Sequence, residues 1–92
     1  MIRSFKHRGL KRLYEQDDRS GIRADLIGTV EDILARLDEA DTPQAMNLPG
    51  YRLHQLKGGL KGFWSVTVRA NWRIVFRFVG VDVFDVELTD YH

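Results

Sequence analysis

The sequence predicts an α+β domain: two N-terminal helices packed on one face of a small, largely antiparallel sheet, in the order β-α-α-β-β-β-β. Three observations carry this reading. Ile22, Leu26, Val30, Ile33, Leu34 and Leu37 recur at helical spacing and form one apolar stripe. After Gly50 the apolar period falls to two, the period of half-buried strands. The chain has 92 residues and no cysteine, so it must close one core without disulfides. Helix stripes and a sheet face bury each other in two layers, and residues 1–92 are read as a single domain.

Met1 to Phe5 alternates enough for a short strand. Leu10, Leu13 and Tyr14 follow at spacings of three and four, which predicts a short helix over residues 6–16. Asp17-Asp18-Arg19-Ser20-Gly21 interrupts it with turn-forming residues. The main helix comes next, with Asp25, Thr29, Asp32 and Arg36 opposite its apolar stripe, and Thr42-Pro43 ends it. Asn47-Leu48-Pro49-Gly50 is a loop, Tyr51–Leu56 a short strand, and Lys57-Gly58-Gly59-Leu60-Lys61-Gly62 a glycine-rich connection. In Phe63–Val68, Trp64, Val66 and Val68 share a face. Arg69-Ala70-Asn71 turns the chain tightly. Trp72, Ile74, Phe76 and Phe78 then line one face of the strand Trp72–Val79, and Arg73, Val75 and Arg77 the other. Gly80 turns the chain again into a last strand, Val81–Thr89.

The composition is that of a folded globular protein, since charged residues make up 29% and hydrophobic ones 43%. No run reaches a membrane span, and no apolar segment follows the basic N-terminus as a secretory signal requires. The expected location is therefore cytoplasmic, with no membrane partner. The net charge of +1 hides strong blocks. Residues 1–14 carry five Lys/Arg and no carboxylate, and residues 15–41 carry nine carboxylates against three arginines. From Thr42 to Val81 stand Arg52, Lys57, Lys61, Arg69, Arg73 and Arg77 without one Asp or Glu. Such a field attracts phosphate and speeds encounter with it, which points to nucleic acid.

If the aromatic face of Trp72–Phe78 meets the helices, Arg73 and Arg77 lie on a face expected to be open to solvent. His54 on the preceding strand, Lys57 past its end and Asp90-Tyr91-His92 at the chain's end are candidates to share it. Together these side chains are the inventory for cutting RNA without a metal. A 2′-hydroxyl must lose a proton, the phosphorane's added charge must be neutralised, and the 5′-oxygen must gain a proton. Histidine serves as base or acid, arginine holds the phosphate, and tyrosine stacks on a base or orients its phosphate. No group of His, Asp and Glu has metal-ligand spacing, so neither metal nor cofactor is expected.

The stretches that begin at Ile2-Arg3-Ser4-Phe5-Lys6-His7-Arg8-Gly9-Leu10, pass through Leu53-His54-Gln55-Leu56-Lys57-Gly58 and Gly62-Phe63-Trp64-Ser65-Val66-Thr67-Val68-Arg69-Ala70-Asn71-Trp72-Arg73-Ile74, and end at Asp90-Tyr91-His92 resemble the HigB-type plasmid-maintenance killer proteins. These belong to the RelE superfamily of messenger-RNA interferases. The resemblance implies a RelE-like fold and ribosome-dependent cleavage of messenger RNA in the A site. It implies catalytic or RNA-positioning roles for His54, Asp90, Tyr91 and His92, with Arg73 on the scissile phosphate. Lys57 and Arg69 match basic positions that hold RNA, and Lys61 is grouped with them. It also implies a type II toxin held silent by a helix-turn-helix antitoxin of the HigA type, with operator DNA bound only through their complex. The competing readings are a non-catalytic RNA- or ribosome-binding module on the same fold, a gyrase-directed toxin, and a structural partner docking through its acidic helix. The terminal Asp-Tyr-His has no purpose in these.

Overall fold

The computed structural model describes residues 1–90. They contain α1 (Arg8–Gln16), α2 (Ile27–Glu39), β1 (His54–Gln55), β2 (Phe63–Arg69), β3 (Trp72–Val79) and β4 (Asp82–Asp90). The strands form one antiparallel sheet in the order β1-β2-β3-β4. α2 lies against β2 and α1 against β4. All six residues of the expected helical stripe are buried, and they meet Val66, Val68, Ile74, Phe76, Val83, Val86 and Leu88 in one core. Each such side chain contributes about 1.5–3 kcal/mol when fully removed from water, so this interface is what holds the two layers together.

α1 starts two residues later than the spacing suggests, because His7 caps it: Nδ1 accepts the Leu10 amide at 3.1 Å, the service Ser or Asp usually performs. Beyond α1 the chain passes back across it at Gly21. A Cβ on Gly9 would stand 2.4 Å from the Gly21 carbonyl oxygen, so this crossing admits only glycine. A 3-10 turn, Ala24–Leu26, leads into α2, and another, Pro43–Met46, follows it and buries Met46 completely.

Two expected strands are shorter than their patterns. The N-terminal segment touches β4 through two isolated parallel bridges, Ile2 to Val83 and Phe5 to Val86. Between them β4 bulges: Val75 pairs with Glu87 and Arg77 with Phe84, so Asp85 and Val86 together oppose Phe76. Asp85 sits at φ 57°, and its amide is taken by the Ser4 hydroxyl at 2.9 Å instead of by a backbone ladder. The strand expected over residues 51–56 shrinks to His54–Gln55, because Arg52 turns left-handed at φ 51°. The Thr67 amide still reaches the Tyr51 carbonyl, at 2.7 Å, and anchors the loop to the sheet.

Asp38 ties the N-terminal arm to both helices. Its Oδ1 accepts the Tyr14 hydroxyl at 2.6 Å and the Ile2 amide at 2.9 Å. Burial and this carboxylate push the Tyr14 hydroxyl up to about 12. Burial opposes the charge on Asp38, but the Tyr14 and Ile2 hydrogen bonds and the N-terminal ammonium outweigh it and hold Asp38 below the usual carboxylate range.

Candidate active site

Cross-strand partners share a face, so the register defines the site. His54 pairs with Ser65, Ser65 with Val75, and Val75 with Glu87, which forms one row across all four strands on the side away from the helices. A second row runs Thr67–Arg73–Thr89, and a third Phe63–Arg77–Phe84. The middle of the first row is small and buried, with Ser65 1% and Val75 5% exposed. This outer face is therefore not the bare surface expected from the arginines. The segment following β1 and the Lys6 side chain fold over part of it, leaving a hollow of about 170 Å³ lined by Lys6, Leu60, Phe63, Val75, Asp85, Glu87 and Thr89. Left-handed backbone at Gly58 and Gly62, φ 68° and 95°, lets that segment double back.

His54 stands exposed at one end of the first row. Arg73 is half-buried in the neighbouring row, and its Nη1 donates to the Thr67 hydroxyl at 2.7 Å. Strand spacing puts the Cα atoms of His54 and Arg73 roughly 12 Å apart, a span that two long side chains reaching for one phosphodiester group can close. Arg77, which shares the face of Arg73, is committed elsewhere. Its Nε donates to Asp85 at 2.7 Å, and its guanidinium lies 5.4 Å from the centre of the Phe84 ring. The Arg77 hydrogen bond in turn lowers the Asp85 pKa. Lys57 and Lys61 are exposed and flank a shallow hollow with Gln55, Leu56 and Gly58, beside His54.

Two expected site residues lie apart from these. Asp90 pairs with Trp72, whose neighbours Ile74 and Phe76 face the helices, so Asp90 projects to the helix side of the sheet. There it lines a hollow of about 260 Å³ with Arg23, Asp25, Arg69, Ala70, Asn71 and Trp72. Arg69 is in the same place, 3.4 Å from Asp25, and Asp25 also holds Arg23 at 2.7 Å. The Arg23 contact keeps Asp25 below the usual carboxylate range. Tyr91 and His92 lie outside the described residues. Sequence reasoning missed Thr67, which orients Arg73, and Glu87, which ends the histidine's row. Among the described residues no group of three or more His, Asp or Glu is arranged to hold a metal.

These features define a class: a small two-layer domain with a basic, histidine-bearing trough on the free face of its sheet. The fold is shared with a solved structure, that of a YafQ mutant from E. coli. It superposes with a TM-score of 0.61 over 98% of this chain and 91% of the other at 14% identity. The chain belongs to the HigB-like toxins, described as RelE-like toxins of type II toxin-antitoxin systems, whose family pattern matches residues 3–92. It is 46% identical to Endoribonuclease HigB of Proteus vulgaris over the full length of both chains. It is 32% identical to Toxin HigB-1 of Vibrio cholerae serotype O1, over 86% of this chain and 85% of the relative. A toxin of a type II system has an antitoxin as its partner.

Proposed function

We propose that this toxin is a ribosome-dependent endoribonuclease that cuts messenger RNA in the A site by general acid–base chemistry and so inhibits translation. The observation that carries the proposal is the register, which sets His54 and Arg73 on one face of the sheet across a trough floored by Ser65 and Val75. The relative that shares 46% of its residues over its whole length is named an endoribonuclease, which supports the activity. Arg73, oriented by Thr67, holds the scissile phosphate and neutralises the charge added in the phosphorane. One imidazole, from His54 or His92, takes the proton of the 2′-hydroxyl, whose oxygen attacks phosphorus. The other returns a proton to the departing 5′-oxygen. Tyr91 stacks on a base or orients its phosphate. Asp90, on the helix side of β4, acts as a positioning residue at the end of the strand. Lys57, Lys61 and Arg69 hold RNA. The partner is a helix-turn-helix antitoxin of the HigA type, and operator DNA is bound through their complex. The site of action is the cytoplasm; no helix among the described residues is long and apolar enough to cross a membrane.

His54, Lys57 and Lys61 are exposed, and this open end of the trough cannot alone hold a flexible strand in line for attack. Such alignment contributes roughly 7–11 kcal/mol, and in this proposal the ribosome supplies it. Single-turnover cleavage of one message, with and without programmed ribosomes at matched RNA concentration, tests this. Cutting orders of magnitude faster on ribosomes is expected, and it should survive EDTA when magnesium just sufficient to keep the ribosomes assembled is present. Equal rates would leave a free-standing ribonuclease. Binding to ribosomes without any cutting would instead favour the non-catalytic module.

A further inference from the structure

The hollow at the far end of the histidine's row contains groups that the cleavage chemistry does not use. Its walls are the Phe63 ring, Val75 and Leu60, and its rim carries Glu87 and Lys6. The Lys6 ammonium lies 5.2 Å from the centre of the Phe63 ring. Glu87 accepts a bond from the adjacent Leu88 amide through Oε1 at 3.2 Å, and forms no ion pair among the described residues. The Thr89 hydroxyl is withdrawn from solvent with no hydrogen-bond partner among the described residues. An aromatic wall, an apolar floor and a carboxylate at the edge suit a planar ring that offers donors along one side.

We infer that this hollow is a nucleobase subsite in which Glu87 reads an exocyclic amine of the nucleotide at the cut. The inference rests on the nuclease reading above and adds a preference to it. Glu87 pairs with Val75 and Arg73 with Thr89, so the two are diagonal neighbours on adjacent strands. Such pairs stand about 7–8 Å apart. One nucleotide thus places its phosphate on the guanidinium and its base edge on the carboxylate. The Glu87 carboxylate repels phosphate, so the base edge and not the phosphate is set beside it, while the Arg73 guanidinium on the adjacent strand takes the phosphate. The carboxylate also fixes the preference. A carboxylate only accepts, so it takes the N4 amine of cytosine and repels the O4 of uracil, and adenine's amine suits it in the same way. Cytosine and uracil have nearly the same shape and differ only in the donors and acceptors at N3 and position 4, so discrimination by a carboxylate beside position 4 reads the amine against the carbonyl.

The test is single-turnover cleavage on programmed ribosomes of two messages that differ only in cytosine or uracil at the cut position. The native protein is expected to favour cytosine by about tenfold, within the range for one good base-edge contact. Glu87→Gln keeps the shape but presents an amide that can donate to O4, and should bring the ratio close to one. Glu87→Ala should do the same. A structural role for Glu87 would slow both messages equally and leave the ratio unchanged, which would overturn the inference. So would a native protein that cuts the two messages equally. A native protein that cuts neither would instead remove the nuclease reading. In that case binding of cytidine and uridine 3′-monophosphates, followed through the Phe63 ring resonances, still judges the subsite: cytidine should bind tighter, and only when Glu87 is present. Equal binding of the two would overturn it.

Discussion

The two faces of this sheet are made by the same strands and obey opposite rules. On the helix side Val66, Val68, Ile74, Phe76, Val83, Val86 and Leu88 are all apolar and nearly inaccessible. On the outer side the same strands carry His54, Thr67, Arg73 and Glu87 over a floor of Ser65 and Val75. Period-two alternation therefore separates the core from the candidate site residue by residue. A second contrast lies between the trough and the hairpin end. At the hairpin end Arg23 and Arg69 both contact Asp25, so one carboxylate offsets part of their charge within the protein. In the trough Arg73 donates to the Thr67 hydroxyl, a neutral acceptor that fixes the direction of its guanidinium.

The largest expected effects come from crossing from one face to the other at neighbouring positions of β3. Phe76→Ala empties a fully buried site and should cost about 3–5 kcal/mol in urea unfolding, enough to leave much of such a small domain unfolded. Arg73→Ala, at a half-buried position on the outer face, should cost less stability than Phe76→Ala, yet slow cleavage by about 10²- to 10³-fold. Arg73→Lys should recover part of the rate, since an ammonium lacks the paired donors. An Arg73→Ala protein that cuts at a near-native rate, or one that unfolds as Phe76→Ala does, would collapse the separation of the faces.

How much of this was legible in the sequence follows from which features are periodic. The apolar stripe and the parity of β3 are repeating signals: all six stripe residues are buried, although Ile22 and Leu26 precede α2, and the parity sets Arg73 on the face opposite Phe76. One-residue irregularities are not periodic. Counting back from the turn at Gly80 without the β4 bulge would set Glu87 opposite Ile74, on the core side; the bulge at Asp85 and Val86 moves it to the trough. Val83 and Val86, both in the core and three apart, carried the trace of that bulge, because an unbroken strand cannot set both on one face. The left-handed turns at Arg52 and Asp85 have no glycine to announce them, which is why β1 and the N-terminal segment read longer than they are. His54 and Arg73 stand out in the sequence as candidates, and the register sets them on one face. Asp90 was grouped with them, although the buried Leu88 two residues before it already points to the helix side.

Between the core and the trough in size stands the Asp38 junction. Tyr14→Phe removes the 2.6 Å bond to Asp38 but leaves the Ile2 amide on the same oxygen, so a loss of about 1.5–3 kcal/mol is expected, as for one bond to a charged acceptor. The pH dependence gives the sign. Tyr14 titrates at about 12 in the folded protein against roughly 10 unfolded, so the fold binds its proton more tightly. That contribution is complete below about pH 10 and disappears as the pH rises towards 12. Asp38 runs the other way: held low when folded, it stabilises above the ordinary carboxylate range and ceases to as acid protonates it. Urea midpoints across pH 9 to 12 should fall more steeply for the native protein than for Tyr14→Phe. Parallel curves would show that the hydroxyl's bond contributes little.

The smallest expected effect tests whether position in the ion-pair network decides which basic groups reach RNA. Lys57 and Lys61 are exposed beside His54, whereas Arg69 contacts Asp25 at the hairpin end. Each cation that neutralises a phosphate releases counterions and adds about 0.7–0.9 to the slope of log affinity against log salt. Lys61→Ala should therefore flatten the salt dependence of ribosome binding by nearly one unit, and the Lys57 and Lys61 double variant by nearly two. Arg69→Ala should change it less, because Asp25 already offsets part of that charge, and its removal leaves Asp25 with Arg23. Combining Arg69→Ala with Asp25→Asn separates the alternatives. If the guanidinium serves RNA, Asp25→Asn alone should steepen the slope by freeing Arg69, and the added Arg69→Ala should remove that gain. If Arg69 alone flattens the slope as much as Lys61, the pair with Asp25 opens on the ribosome, and the hairpin end belongs to the RNA-binding surface as fully as the trough does.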